Sequence, residues 1–112
     1  MAKVIITNRL EKEINKKFKS ESIKIFEFIY SLKQNPTKGK IISQIGKILI
    51  KELKYKSFRF YFITEGYKIK LFKKEEIEEI LIKFVRMSNK NSQQKVINEI
   101  KSILRTLGEE GF

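Results

Sequence analysis

The segment Lys51–Phe62, KELKYKSFRFYF, decides the fold, because apolar and polar residues alternate within it as they do in a β-strand. The alternate phenylalanines from Phe58 to Phe62 fall on one side of such a strand, and Arg59 and Tyr61 fall on the other. The segment also carries three lysines and one of the four arginines of the chain. A strand pair this rich in cations either keeps a sheet edge soluble or holds a polyanion.

The net charge narrows the choice of partners. The chain has 112 residues, which suits a single domain, and its 25 basic and 13 acidic residues give a net charge of +12. Such a surplus points to nucleic acid, the ribosome or an acidic protein, although the excess of lysine over arginine also fits a general bias toward lysine. The distribution is more informative. Seven cations and one acid, Glu52, lie between Lys38 and Arg59, so this part of the chain forms a concentrated positive patch.

The residue types that the chain lacks exclude several kinds of chemistry. Without Cys, His or Asp it cannot form disulfides, zinc–thiolate sites or a His-centred triad. The glutamates between residues 75 and 79 indicate a solubilising turn or an extra helical turn rather than a metal site, because two carboxylate pairs on one short segment repel each other when no other ligands organise them. No apolar run has the length of a secretory signal or a membrane span. We therefore expect a cytoplasmic protein with no metal, no small-molecule cofactor and no membrane partner.

Hydrophobic periodicity and turn residues predict the order of helices and strands. The predicted elements are a strand over residues 2–7, a helix capped by Asn8, a second helix that begins at Ser20 or Ser22 and stops before Asn35, strands beginning at Ile48, Phe58 and Tyr67, a strand over Ile80–Arg86, and a helix that begins near Ser92 and ends at Gly108. A tight turn at Glu65–Gly66 would join two of the strands.

This order predicts an α+β fold in a single domain over residues 1–112. An N-terminal helical hairpin would pack on an antiparallel, twisted sheet of four or five strands, and an amphipathic helix would follow the sheet. The phenylalanine side of the sheet is the natural surface for the hairpin. The opposite side, which carries Arg59, Tyr61 and several lysines, is then expected to face solvent.

Four local features, in order along the chain, carry a resemblance to a known family. They are the turn LKQNPTKGK (Leu32–Lys40), the strand pair KELKYKSFRFYF, the final strand ending in FVR (Phe84–Arg86), and the amphipathic helix after it. Together they resemble the RelE/HigB/ParE superfamily of toxins from toxin–antitoxin modules over roughly residues 1–107 of the one-domain arrangement. The stretch FVRMSNKNSQQ is most similar to the HigB-like and RelE-like ribonuclease branch.

The resemblance implies an endoribonuclease that cuts mRNA in the decoding site of the ribosome, without metal, and that a cognate antitoxin protein holds inactive. In this reaction a ribose 2′-hydroxyl attacks the neighbouring phosphate. It needs a proton acceptor, a cation for the pentacoordinate phosphate and a proton donor for the leaving oxygen. A guanidinium suits the phosphate because its N–H groups can bind two phosphate oxygens, and a lysine with a lowered pKa could accept the proton.

By position, the resemblance assigns catalytic roles to four residues. Arg59 would stabilise the transition state, Lys54 or a neighbouring lysine would accept the proton, and Arg86 would clamp a second phosphate. Several family members have a Tyr or His after that last arginine; this chain reads Met87–Ser92 there, and Tyr61 is the possible substitute. The residues expected to bind RNA are Lys38, Lys40, Lys51, Lys56, Lys83 and Lys90.

These roles depend on stated conditions, and alternative functions remain. Strict alternation puts Arg86 beside Phe84, so its role requires the last strand to end or bulge before it. There are two alternative functions. One is inhibition of DNA gyrase in the manner of ParE, and the other is RNA and ribosome binding by a catalytically inactive homologue. The nuclease interpretation fails if Arg59 is salt-bridged beneath a helix, or if the basic residues are scattered without a shared concavity.

Overall fold

Helices and strands follow one another through residues 2–66 and 80–112, the parts of the chain that the structure, a computed structural model, describes. The elements are β1 (Lys3–Ile6), α1 (Asn8–Phe18), α2 (Ser22–Tyr30), β2 (Lys40–Ile45), β3 (Ile48–Tyr55), β4 (Phe58–Glu65), β5 (Leu81–Asn89) and α3 (Gln93–Leu107), with 3₁₀ turns at Lys19–Glu21, Ser31–Lys33 and Gly108–Gly111. The predicted strand beginning at Tyr67 and the glutamate-rich turn lie outside the described residues.

One five-stranded sheet, in the order β1-β5-β4-β3-β2, organises the fold. The neighbouring pairs from β2 through β5 are antiparallel, and β1 runs parallel to β5 with Lys3 opposite Leu81. The α+β class is confirmed, but the sheet is mixed rather than wholly antiparallel. The parallel pair arises because β1 enters at the edge beside the last strand and leads directly into α1.

The phenylalanine side of the sheet is buried against α1 and α2, as predicted. Phe60, Phe62 and Phe84 are fully buried, and they share a core with Ile25 and Ile29 of α2. The rings of Phe62 and Phe84 lie 4.7 Å apart. Each such side chain contributes about 1.5–3 kcal/mol when it leaves water, so this face sets the orientation of β4.

The opposite side of the sheet is also buried, which corrects the expectation that it faces solvent. Helix α3 lies across it and forms a second core with the strands; the core consists of Ile50, Tyr61, Ile63, Val85, Ile97, Ile100 and Leu104. The apolar stripe of α3 needs a surface to cover, and the apolar residues on this side of β3, β4 and β5 supply one. The sheet is therefore enclosed between two helical layers.

A β-bulge in β5 determines where Arg86 points. Phe84 lies opposite Phe62, whereas Arg86 lies opposite Tyr61, so Val85 is an extra residue between the two pairs. Because of this insertion Arg86 lies on the α3 side rather than beside Phe84. The bulge on which its predicted role depended is present.

Two boundaries differ from the predictions. The α1 N-cap is Thr7 rather than Asn8, since the Thr7 hydroxyl accepts a hydrogen bond from the backbone N–H of Leu10 at 3.3 Å. Strand β2 was not predicted. Its alternation is broken by a register shift between Ile41 and Ser43, and it is a largely exposed edge strand, so its sequence shows no buried side.

Glycine at position 39 is required by both backbone and packing. Gly39 has φ +106°, and a Cβ there would lie 2.8 Å from the ring of Phe62. We expect Gly39→Ala to cost about 1–2 kcal/mol for the backbone and about 1–3 kcal/mol for overpacking. Gly46→Ala is the matched control, because Gly46 has φ +58° with open space around it and carries only the backbone cost. Urea unfolding of both variants measures the difference, and equal losses would contradict this packing constraint.

Candidate nucleic-acid interface

A cavity of about 280 Å³ opens where the α3 side of the sheet emerges beyond the start of that helix. We name it the Arg59 cavity, and it is lined by Lys40, Glu52, Lys54, Arg59 and Gln93. Three cations and one carboxylate give these residues a net charge of +2. A concave surface of this charge favours the binding of an anion.

Strand register brings the charged residues of the Arg59 cavity together. Lys54 lies opposite Arg59 in the β3–β4 pair, and Glu52 lies opposite Lys40 in the β2–β3 pair. Directly opposed residues have Cβ atoms about 4.5–5.5 Å apart. The cavity therefore depends on β2, the strand that the sequence pattern did not predict.

Arg59 is held by an ion pair with Glu52. Its Nε lies 2.7 Å from Glu52 Oε1, and both side chains are 12% exposed. One terminal N–H group also donates to the carbonyl of Phe58 at 3.4 Å. A guanidinium has five N–H donors, so these two contacts orient the group and leave further donors for an anion.

Tyr61 is fully buried beneath α3, so it is not exposed beside Arg59 as the sequence pattern predicted. Its hydroxyl lies 2.9 Å from Ser88 Oγ in a hydrogen bond, and burial raises the pKa of Tyr61 above its ordinary value. Ser88 in turn lies opposite Arg59 in the β4–β5 pair. Tyr61 therefore supports the floor next to Arg59 and does not offer its ring to a base.

Arg86 lies outside the Arg59 cavity although the bulge turns it to the α3 side. Its Nε is 2.6 Å from Glu99 Oε1 of α3, and one terminal N–H donates to the carbonyl of Val85 at 2.7 Å. The side chain is 8% exposed, and its guanidinium lies 5.2 Å from the ring centroid of Phe112. Arg86 thus connects α3 to the sheet in a separate cavity of about 490 Å³, which it shares with Arg9 and Lys83.

The six lysines predicted to bind RNA do not share one surface. Only Lys40 lines the Arg59 cavity. Lys51 is 2% exposed and lies opposite Phe62, on the side of the sheet away from Arg59, so it is not available to a phosphate. The other positions are Lys38 over the ring of Phe28, Lys56 paired with Glu21 at 3.2 Å, Lys83 donating to the carbonyl of Phe112, and Lys90 exposed in the turn after β5.

The nuclease interpretation was to fail if Arg59 were salt-bridged beneath a helix or if the basic residues shared no concavity, and the structure meets each of these conditions only in part. Three of the ten predicted site residues share one cavity: Lys40, Lys54 and Arg59. Arg59 is salt-bridged, but its partner is Glu52 on the neighbouring strand β3. The α3 residue at the cavity wall is Gln93, the first residue of that helix. The pair reduces the charge that Arg59 can offer, and among the ten predicted residues only Lys40, Lys54 and Arg59 line this cavity.

Glu52 and Gln93 belong to the site but were not predicted as functional residues. Glu52 had a signal in the sequence, since it is the single acid in the positive patch. Gln93 had none, because its place beside Arg59 follows from how α3 packs on the sheet.

The structure offers no metal-binding cluster and no membrane-spanning helix within the residues that it describes. Within residues 2–66 and 80–112, no group of three or more carboxylate, Cys or His side chains could hold a metal ion. In the same ranges no helix combines the length and apolar character that crossing a membrane requires. Comparisons of the chain with family models, curated proteins and solved structures find no match.

Burial of Lys51 makes the stability of the protein depend on pH. Its Nζ donates to the carbonyl of Thr37 at 3.0 Å, and burial lowers the pKa of Lys51 below 10.5 in the folded protein. The unfolded chain therefore binds the proton more readily, and this residue's contribution to stability rises with pH between the lowered folded value and 10.5.

The comparison of wild type with Lys51→Met isolates this contribution. We expect the free energy of unfolding of the wild type, relative to that of the variant, to increase as the pH rises from the lowered folded pKa of Lys51 toward 10.5. Urea unfolding of both proteins at each pH measures it. A difference that stays constant with pH would mean that burial does not act on the Lys51 ammonium.

Proposed function

We propose that this protein is a metal-independent, ribosome-dependent endoribonuclease of the RelE/HigB toxin kind, and that the Arg59 cavity binds the phosphate that is cut. The observation that carries the proposal is the convergence of Arg59, Lys54 and Lys40 on one cavity together with the carboxylate of Glu52. Cations and a proton acceptor side by side are what attack of a 2′-hydroxyl on a phosphate requires.

Glu52 is better suited than Lys54 to accept the proton. A carboxylate oxygen accepts a hydrogen bond from the 2′-hydroxyl directly, whereas an ammonium group has donors and no acceptor. In the proposed step the 2′-hydroxyl gives its proton to Glu52 and its oxygen attacks phosphorus. The bond to the 5′-oxygen breaks, and an ammonium group of Lys40 or Lys54 protonates that oxygen. The products are a 2′,3′-cyclic phosphate and a 5′-hydroxyl.

Arg59 would stabilise the pentacoordinate phosphate. The ion pair with Glu52 at 2.7 Å holds the guanidinium by its Nε, so its orientation is set before substrate binds. As the proton moves to Glu52, the carboxylate loses its charge and releases part of the guanidinium charge to the phosphate, which is gaining negative charge. The ion pair thereby couples proton transfer to phosphate stabilisation.

Tyr61 and Arg86 act indirectly in this proposal. Tyr61 holds Ser88 beside Arg59 through the 2.9 Å hydrogen bond, and Arg86 ties α3 to the sheet through Glu99. Neither group is placed to touch the phosphate in the Arg59 cavity. They are positioning residues here, which replaces the direct roles that the resemblance assigned to them.

A second candidate function is RNA or ribosome binding without cleavage. The short Arg59–Glu52 distance favours it, because an ion pair that stays closed would keep both groups from the reaction. The burial of Tyr61 and the pairing of Arg86 also remove two groups that a strong nuclease could use.

The proposed partners are mRNA on the ribosome and an antitoxin protein, and the proposed location is the cytoplasm. A net charge of +12 favours association with RNA and with an acidic antitoxin segment. Ile41 on the edge strand β2 is 51% exposed next to Lys40, so an amphipathic segment could cover apolar surface and cation together.

The decisive variants are Arg59→Ala and Glu52→Gln. We expect each to slow cleavage of a defined mRNA on translating ribosomes by about 100-fold or more, since each removes a group that acts on the transition state. Arg105→Ala is the matched control, because Arg105 is an exposed arginine on α3 outside the Arg59 cavity. Mapping of the cut ends and measurement of initial rates provide the readout.

Loss of a charged partner also affects folding. Thermal unfolding therefore compares the two single variants with the double variant Arg59→Gln with Glu52→Gln, in which neither charge is left unpaired. Cleavage that persists in folded Arg59→Ala would overturn the assignment. Ribosome or RNA binding without cut ends in the wild type would establish the second candidate. Toxicity that survives both single substitutions, with gyrase activity inhibited, would replace both with the ParE-like alternative.

A further inference from the structure

A second, larger cavity lies beside the Arg59 cavity at the same end of the sheet. Its volume is about 580 Å³, within the range of small-ligand sites. We name it the α1 cavity, and it is lined by Glu13, Lys16, Lys17, Phe58, Met87, Ser88, Asn89 and Ser92. None of these residues belongs to the Arg59 cavity or was predicted to bind RNA.

Chain connectivity makes the two cavities neighbours. Phe58 lines the α1 cavity and the next residue, Arg59, lines the Arg59 cavity. At the start of α3, Ser92 lines the α1 cavity and the next residue, Gln93, lines the Arg59 cavity. Because Phe58 and Arg59 are successive strand residues and face opposite sides of the sheet, a polymer bound at Arg59 would pass around the start of β4 to reach the α1 cavity.

The α1 cavity combines an aromatic ring with cations. Phe58 is half-buried and held edge-on against Phe18 with the ring centroids 4.9 Å apart, so its orientation is fixed by packing. Lys17 Nζ lies over the Phe58 ring, 5.1 Å from its centroid, so a base that stacks on this face displaces the exposed Lys17 side chain toward the phosphate. Lys16 is an exposed neighbour on α1. A ring for stacking beside cations for the backbone is the arrangement that binds single-stranded nucleic acid.

The polar lining suits a base edge. Asn89 Oδ1 accepts hydrogen bonds from the backbone N–H groups of Asn91 and Ser92, each at 2.9 Å. Its amide nitrogen is then the group that can donate to a ligand. Glu13, the acid of this cavity, is paired with Arg9 at 3.2 Å, which reduces its repulsion of a phosphate.

We propose that the α1 cavity binds the nucleotide next to the cleaved phosphate in single-stranded RNA, with its base on Phe58 and its phosphate on Lys16 and Lys17. The inference rests on the proposed function, because the Arg59 cavity defines the phosphate that this nucleotide flanks. It adds a recognition subsite that uses the N-terminal helix as well as the sheet.

The first experiment measures binding of short single-stranded RNAs to the full-length protein, with a 2′-O-methyl group at the cleavage position to prevent reaction. Each RNA is compared with one that lacks the flanking base. We expect the wild type to bind the complete RNA about 10-fold more tightly than the abasic RNA. Phe58→Leu should abolish this preference while the salt dependence of binding stays unchanged.

The second experiment tests the cations with a charge-matched control. Lys16→Gln with Lys17→Gln should make the slope of log affinity against log salt concentration shallower by about 1.4, because two phosphate contacts are removed. Lys24→Gln with Lys33→Gln makes the same charge change at exposed positions on or just after α2 and should leave the slope unchanged.

These measurements separate the two proposals. If wild-type protein cuts mRNA and Arg59→Ala does not, but the abasic RNA binds as tightly as the complete one, the α1 cavity inference is overturned and the nuclease stands. If both lysine pairs change the slope equally, the inference is likewise overturned. A base preference that requires Phe58 in a protein that never cuts RNA supports the subsite and overturns the nuclease.

Discussion

Burial of the phenylalanine side of β4 is the constraint on which the rest of the structure depends. With Phe60 and Phe62 packed against α1 and α2, alternation leaves Arg59 and Tyr61 no choice but the opposite side. The pairing of β4 with β3 then brings Lys54 next to Arg59. A one-residue shift in the register of β4 would move each of its side chains to the other side of the sheet. The same strand register therefore determines both the core packing and the geometry of the site.

Helix α3 covers most of its side of the sheet with a second core and leaves Arg59, Lys54 and Lys40 at one end. Tyr61 is covered by the helix, and Arg86 is neutralised by Glu99. At the uncovered end Arg59 is partly enclosed, and Glu52 compensates its charge at 2.7 Å. A guanidinium this close to the protein interior needs such a partner, since an unpaired charge there is strongly disfavoured.

The large positive charge of the chain therefore has two components. Within residues 2–66 and 80–112, most lysines are solvated or engaged locally, as Lys56 is with Glu21, and they contribute a general attraction to polyanions. A few cations in two adjacent cavities have fixed neighbours and can contribute specificity. Composition reveals the first component. The second component depends on which residues share a concave surface. In the proposed reaction, the Glu52 carboxylate adds a proton acceptor to the cations of the Arg59 cavity.

The sequence by itself determined the period-two strands, the amphipathic helices and hence the α+β class, because these follow from local alternation and from the burial of apolar side chains. It also predicted a role for Arg59 and showed the concentration of cations between Lys38 and Arg59, although these cations do not share one surface. Only the tertiary structure decided that α3 buries Tyr61, that β2 completes the Arg59 cavity, that the Val85 bulge sends Arg86 to Glu99, and that Phe58 and Lys17 meet. These outcomes depend on contacts between residues far apart in the chain, and periodicity within one segment carries no information about them.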